Sequence, residues 1–129
     1  LSKFIKIIRS EINLHNDKPE LKKFSIILEK NLKILEDFVN WLKDRNNTNK
    51  DDVSSACNDF LKVLGYISIG FCWFKISKVS LNKINENKNF YEDKINTAKY
   101  FYDKILPRVD MHFKSAETGS DFIMKAKFN

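Results

Sequence analysis

Apolar and polar positions alternate along this chain with the period of a helix almost throughout. The densest apolar stretch lies in the middle, within Asp51 to Asn85, and runs from Phe60 to Phe74 with little interruption. At helical spacing Val53, Ala56, Cys57, Phe60, Leu64, Ile67, Phe71 and Phe74 share one face. Tyr66, Ile69, Trp73 and Ile76 line nearly the opposite one. A surface helix needs a single stripe, so this central helix is expected to have neighbours on two sides. Gly65 and Gly70 each cost about 1 kcal/mol of helix stability relative to Ala, and are expected where another backbone comes close.

The flanking segments repeat the pattern. Leu1 to Asn13 predicts a first helix with Leu1, Phe4, Ile5, Ile8 and Ile12 on one face. His15, Asn16, Asp17, Lys18 and Pro19 read as a turn, with Asp17 or Lys18 as the next cap and Pro19 in the first helical turn. The second helix is expected from Glu20 to about Lys43. Leu21, Phe24, Leu28, Leu32, Leu35, Val39 and Leu42 form its main stripe, and Ile27, Ile34 and Trp41, with Phe38 beside them, form a second. Asp44 to Lys50 is polar and predicts a flexible loop, after which Asp51 or Asp52 caps the central helix. A last long helix starts near Phe90, with Tyr91, Ile95, Ala98, Tyr102, Ile105, Val109, Phe113 and Ala116 as its stripe. Pro107 predicts a kink between Asp103 and Leu106. Gly119 predicts a left-handed cap, and residues 121–129 a tail that Phe122, Ile123 and Met124 tie down.

No segment alternates with a period of two for long enough to predict a strand. The expected class is all-α, an antiparallel bundle of three long helices plus a shorter N-terminal one. With 129 residues, three glycines and two prolines, the chain suits one domain of few, long helices. It opens on Leu rather than Met and reads as a fragment of a longer chain.

The net charge of +6 raises nucleic acid or an anionic membrane as partners. Lysines alternate with Glu and Asp along the outer faces, however, as between Glu29 and Asp37, which reads as a solvated surface. The exception is an acid-free stretch of the central helix carrying Lys62, Lys75, Lys78 and Lys83. Cys57 and Cys72 lie about 22 Å apart on one helix at ~1.5 Å rise per residue, too far to pair. Two free and buried thiols are expected, in a reducing compartment. Lys62 and Lys75 interrupt the apolar run, which leaves too short a span to cross a bilayer, and no signal peptide is visible. The default is a soluble, cytoplasmic protein without membrane association.

Candidate chemistry is sparse. Every Asp and Glu falls on a polar face or at a helix end, and no GxSxG, phosphate loop or zinc motif is present. His15 reads as a loop residue and His112 as a half-buried structural one. Tyr100, Phe101 and Tyr102 point in different directions on a helix, which argues core rather than a stacking platform. No catalytic, cofactor-binding or metal-ligating residue is assigned.

Leu64-Gly65, Gly70 and Trp73 are followed by Phe90-Tyr91, Lys94, Thr97 to Tyr102, Leu106-Pro107, Gly119 and Phe122. In this order and spacing they resemble the helical C-terminal extension of acyl-CoA dehydrogenases, in the branch that includes the 3-methylmercaptopropionyl-CoA dehydrogenases. The resemblance covers Asp51 to Phe122, and the first fifty residues in helical character only. It implies a parent enzyme that binds FAD and removes two hydrogens from the α and β carbons of an acyl-CoA thioester, with a glutamate as base. That glutamate would precede Leu1. Glu11 lacks the glutamate-glycine-threonine context and reads as a surface residue. The implied partners are the rest of the parent chain and a second subunit. The second apolar face of the central helix would be covered either by this same bundle or by such a partner. The alternative is a free-standing interaction module whose basic surface binds nucleic acid or an acidic protein, although the four lysines do not share one face. An independent enzyme ranks third, for want of a polar pocket.

Overall fold

The computed structural model describes residues 1–14 and 18–126, and among them it is all helical. The helices are α1 (Ser2–Asn13), α2 (Pro19–Thr48), α3 (Lys50–Lys83), α4 (Lys88–Tyr100), α5 (Arg108–Glu117) and the short α6 (Asp121–Met124). A π-helical turn, Phe101–Ile105, joins α4 to α5. The expected bundle is therefore present: α3 lies in the middle, antiparallel to α2 on one side and to the α4–α5 segment on the other, with α1 laid against α2. The turn expected at His15, Asn16 and Asp17 lies outside the described residues, as does the end of the tail at 127–129. Lys18 is the N-cap of α2 and Pro19 occupies its first turn, where the missing N–H removes no helical bond.

One core runs through the bundle. From α1 it takes Ile5, Ile8 and Ile12, and from α2 Leu21, Phe24, Leu28, Leu32, Leu35 and Phe38. These are the predicted stripes, except that Phe38 is fully buried while Val39, Leu42, Ile34 and Trp41 pack around its edge. Phe38 is the centre of an aromatic cluster: its ring lies 4.9 Å from Phe113, 5.1 Å from Phe60 and 6.2 Å from Trp41.

Three boundaries differ from expectation for identifiable reasons. The polar stretch from Asp44 to Lys50 is not a loop; α2 continues through Thr48 and only Asn49 separates it from α3. Asn49, not Asp51 or Asp52, is the cap, its side-chain oxygen accepting from the N–H groups of Asp51 and Asp52. Those two carboxylates fall in the first turn instead, where the helix dipole favours them. The last long helix begins at Lys88, behind an Asn87 cap, and is broken rather than simply kinked. In its π turn the Leu106 N–H bonds to the Phe101 carbonyl, five residues back, immediately before the proline that has no N–H to give. The extra residue turns Phe101, Tyr102 and Leu106 into the core and leaves the predicted Ile105 half-buried.

The central helix carries the largest corrections. Its buried line is Asp52, Ala56, Val63, Ile67, Gly70, Phe74, Ser77 and Ser80. Cys57 and Cys72, expected inside, are both exposed. At Gly70 a Cβ would meet Leu28 Cδ2 at 3.3 Å, Phe101 at 3.5 Å and Leu106 at 3.6 Å, so the close approach is by side chains of α2 and the π turn. Gly65 has open space beside it, against expectation. Gly65→Ala is therefore expected to stabilise the protein by about 0.4–1 kcal/mol, through helix propensity and a less flexible unfolded chain. Urea unfolding checks it, and a loss of stability would show that the glycine has a packing role. Lys62 and Lys75 also fail to shorten the apolar helix. By length and composition α3 is long and apolar enough to cross a membrane, and only 28% of its most apolar stretch is buried inside the bundle. The exclusion expected on length alone does not stand.

Candidate functional site

Three polar contacts pin α3 to the segment that follows it, and each joins residues far apart in sequence. At the start of α3 the Asp52 carboxylate is buried. Its Oδ1 accepts from the Ser120 N–H at 2.8 Å and from the Ser120 hydroxyl at 2.9 Å. Gly119, the left-handed cap that the sequence predicts, has φ +77° and brings Ser120 into place; a Cβ there would sit 2.9 Å from Asp52 Oδ1. Arg45 of α2 approaches from the other side, its Nε 3.9 Å from Asp52 Oδ2 and its guanidinium 5.6 Å from the Trp41 ring centre. Hydrogen bonds from the Ser120 backbone and hydroxyl hold the Asp52 carboxyl below the usual carboxylate range, with Arg45 adding to the effect. The tail is thus tied by Ser120. Phe122, Ile123 and Met124, expected to tie it, are exposed, Phe122 at 84%.

The second contact is in the interface between α3 and α5. His112 Nδ1 lies 2.7 Å from Asp59 Oδ1, and the imidazole stacks on Tyr66 with ring centres 5.9 Å apart. A carboxylate only accepts, so Nδ1 carries the donated proton. His112 is half-buried, as expected, but it has a specific partner that the sequence reading did not name. The third contact is Tyr102, whose hydroxyl donates to the Gly70 carbonyl at 2.7 Å. Burial pushes its phenol far above the ordinary value, so it stays protonated and keeps donating.

The lysines singled out in the acid-free stretch do not form one basic patch. Lys78 points towards α1 and reaches Glu11 at 3.3 Å, which places Glu11 in an interhelix pair rather than free on the surface. Lys75 lies 4.6 Å over the Phe71 ring, and Lys62 and Lys83 are exposed at separate points. On α1 the Arg9 guanidinium clamps two carboxylates of α2, reaching Glu29 at 2.8 Å and Glu36 at 2.7 Å. Its hydrogen bond holds the Glu36 carboxyl low.

Asp52 and Glu36 together predict the acid response. Both carboxyls titrate lower in the folded chain than their ordinary 3.8 and 4.5, so the unfolded chain takes up more protons as pH falls. Their contribution is complete above about pH 5 and is lost as pH drops through the ordinary values towards the depressed folded ones. Urea midpoints measured from neutral pH downwards should fall in that window. Asp52→Asn, which keeps an acceptor but cannot titrate, should flatten the fall; an unchanged profile would remove Asp52 from this role.

Of the second face of α3, Tyr66 is covered by His112 and Trp73 is half-buried, whereas Ile69 and Ile76 are exposed. The bundle thus covers part of that face and leaves the rest open. Between α3 and α4 lies a shallow, almost wholly apolar groove of about 290 Å³, lined by Ile76, Val79, Phe90 and Tyr91, with Lys75 and Lys94 at its rim. Phe101 and Tyr102 are core, and Tyr100 is exposed. Among the described residues no three His, Cys, Asp or Glu side chains come together as a metal would require.

Fold and contacts define a helical bundle with one core, polar pins between its helices and one apolar outer face. The family described as "Acetyl-CoA dehydrogenase C-terminal like" matches residues 3–127, and the chain belongs to it. The match includes the first fifty residues, where the sequence reading saw only helical character. No curated protein and no solved structure matches the chain.

Proposed function

We propose that this chain is the non-catalytic C-terminal domain of an FAD-dependent acyl-CoA dehydrogenase and that it packs on the catalytic body of that enzyme. The observation that carries the reading is the family match along residues 3–127. The parent's reaction removes a proton from the α carbon, made acidic by the thioester, while the hydride leaves the β carbon for the flavin. The base belongs to the parent, upstream of Leu1. Five of this domain's seventeen acids are held by specific partners, Asp52 by Ser120, Asp59 by His112, Glu11 by Lys78, and Glu29 and Glu36 by Arg9. The role left to the domain is mechanical: a preformed bundle that presents an apolar face to the body or to the subunit interface. The branch of 3-methylmercaptopropionyl-CoA dehydrogenases and a cytoplasmic location are part of the same proposal.

The deciding experiment is the intact mass and visible absorbance of the protein purified from its native source, with a peptide map upstream of Leu1. A chain several times longer, with flavin absorbance and a glutamate-glycine-threonine segment ahead of Leu1, is expected. A chain that begins within a few residues of Leu1 and carries no flavin overturns the reading.

A further inference from the structure

The outer face of α3 is apolar surface that the described residues leave largely open. Leu61, Ile69, Ile76 and Val79 are 66%, 46%, 38% and 49% exposed, and Cys72 and the open Gly65 lie among them. Positions 61, 65, 69, 72, 76 and 79 follow the three-and-four spacing of a helix that packs along another element. The stripe spans about 27 Å at 1.5 Å per residue. At its C-terminal end it runs into the 290 Å³ groove against α4.

Charge decides what can cover it. From Leu61 to Asn85 the chain has no Asp or Glu and four lysines. Lys78 turns away to Glu11. Lys62 and Lys83 close the two ends of the stripe, Lys75 borders one flank and Lys94 the groove. The ammonium groups of Lys75 and Lys94 rest over the Phe71 and Phe90 rings at 4.6 and 5.1 Å, and neither meets a carboxylate among the described residues. A second copy of the stripe from Leu61 to Lys83, set against this one, brings lysines and no carboxylate to the border, and like charges set against each other disfavour the contact. The complementary surface is apolar and bordered by carboxylates.

We infer that the outer face of α3 docks an apolar, carboxylate-bordered helix of the parent's catalytic body, and that two copies of this domain do not meet through it. The inference rests on the reading above and deepens it: the contact is between unlike surfaces, with Lys62, Lys75 and Lys94 as its electrostatic rim.

Cys72, in the middle of the stripe, is a native probe, and Cys57, exposed one helical turn beyond its N-terminal end, is its control. Maleimide labelling of the two thiols is followed by peptide mass spectrometry in the isolated 129-residue chain and in the full-length protein from the native source. In the isolated chain both thiols are expected to label at similar rates. In the full-length protein Cys72 should label at least about tenfold more slowly, since thiol reactivity follows exposure, with Cys57 unchanged. Lys62→Glu with Lys75→Glu should restore the Cys72 rate. Lys62→Gln with Lys75→Gln should restore it partly, and both pairs should keep the helical circular dichroism of the parent.

Equal Cys72 rates in the isolated and full-length proteins overturn the docking. Protection already present in the isolated chain, with a doubled mass in sedimentation, assigns the face to a second copy and overturns it too. So does protection that appears only on adding vesicles of phosphatidylglycerol and phosphatidylcholine. A long flavoprotein with a reactive Cys72 removes the docking and leaves the family reading standing. A short, flavin-free native chain with a reactive Cys72 removes both.

Discussion

Phe38→Ala is expected to lower the unfolding free energy by about 3–5 kcal/mol, the range for deleting a fully buried aromatic side chain. The size follows from position. Phe38 is wholly buried, and its ring touches Trp41 of its own helix, Phe60 of α3 and Phe113 of α5. Truncation leaves a cavity where three helices meet, and no one of them can move to fill it without leaving its other contacts. Urea unfolding followed by tryptophan fluorescence reads the change as a shift in midpoint. Ile26→Ala on the same helix is the control: Ile26 is exposed, and its loss should change stability by less than about 0.5 kcal/mol. Equal effects at the two positions would mean that the aromatic cluster does not hold α2, α3 and α5 together.

Tyr102 separates two contributions that the core usually mixes. Tyr102→Phe removes only the hydroxyl, and with it the 2.7 Å bond to the Gly70 carbonyl, at a cost of about 1 kcal/mol. The cost stays modest because that carbonyl also belongs to the α3 hydrogen-bond ladder. Tyr102→Ala also removes the ring stacked on Phe24 at 4.4 Å and opens a cavity under the π turn, for about 3–5 kcal/mol in total. Hydrogen exchange at Leu106 and Val109 should report local opening of the π turn in the alanine variant and not in the phenylalanine one. Comparable losses in the two variants would put the weight on the hydroxyl and contradict the packing account.

The experiments that bear on function look at another part of the molecule. Phe38 and Tyr102 lie inside, so their variants test how the domain is built. Cys72, Lys62 and Lys75 lie outside and test what it meets. In the role proposed above the domain would act through its surface, and its core would serve by holding the outer face of α3 in place.

Helix content and the faces of α1 and α2 were legible in the sequence because both are local, whereas the buried line of α3 was not. The stripes of α1 and α2 needed only the 3.6-residue period, and the residues they named pack, apart from Leu1, which is exposed. The Gly119 cap was legible for a similar reason, since a positive φ at a helix end favours one residue type. Local rules failed where two of them competed. Asp44 to Thr48 has poor helix formers, but Trp41 and Arg45 hold that turn against the start of α3, and packing overrides propensity there. At Pro107 the sequence predicted a disturbance but not its form. Whether a helix kinks or takes in an extra residue depends on which side chains the core accepts, and here it accepts both Phe101 and Tyr102.

The polar pins could not be read in advance at all. Asp52 with Ser120 and Asp59 with His112 join residues 68 and 53 positions apart, and nothing in either neighbourhood names the other. The sequence by itself therefore determined the class of fold, the antiparallel order of its helical segments, the apolar character of α3 on two sides and the kinship of the chain's second half. Tertiary structure decided which part of each face is covered, that Cys57 and Cys72 are exposed, that Gly65 is open while Gly70 is packed, and which acids are paired. The physical reason is that periodicity states how apolar a face is, whereas burial depends on whether a neighbour of matching shape and charge arrives. Along most of the outer face of α3 none arrives from among the described residues.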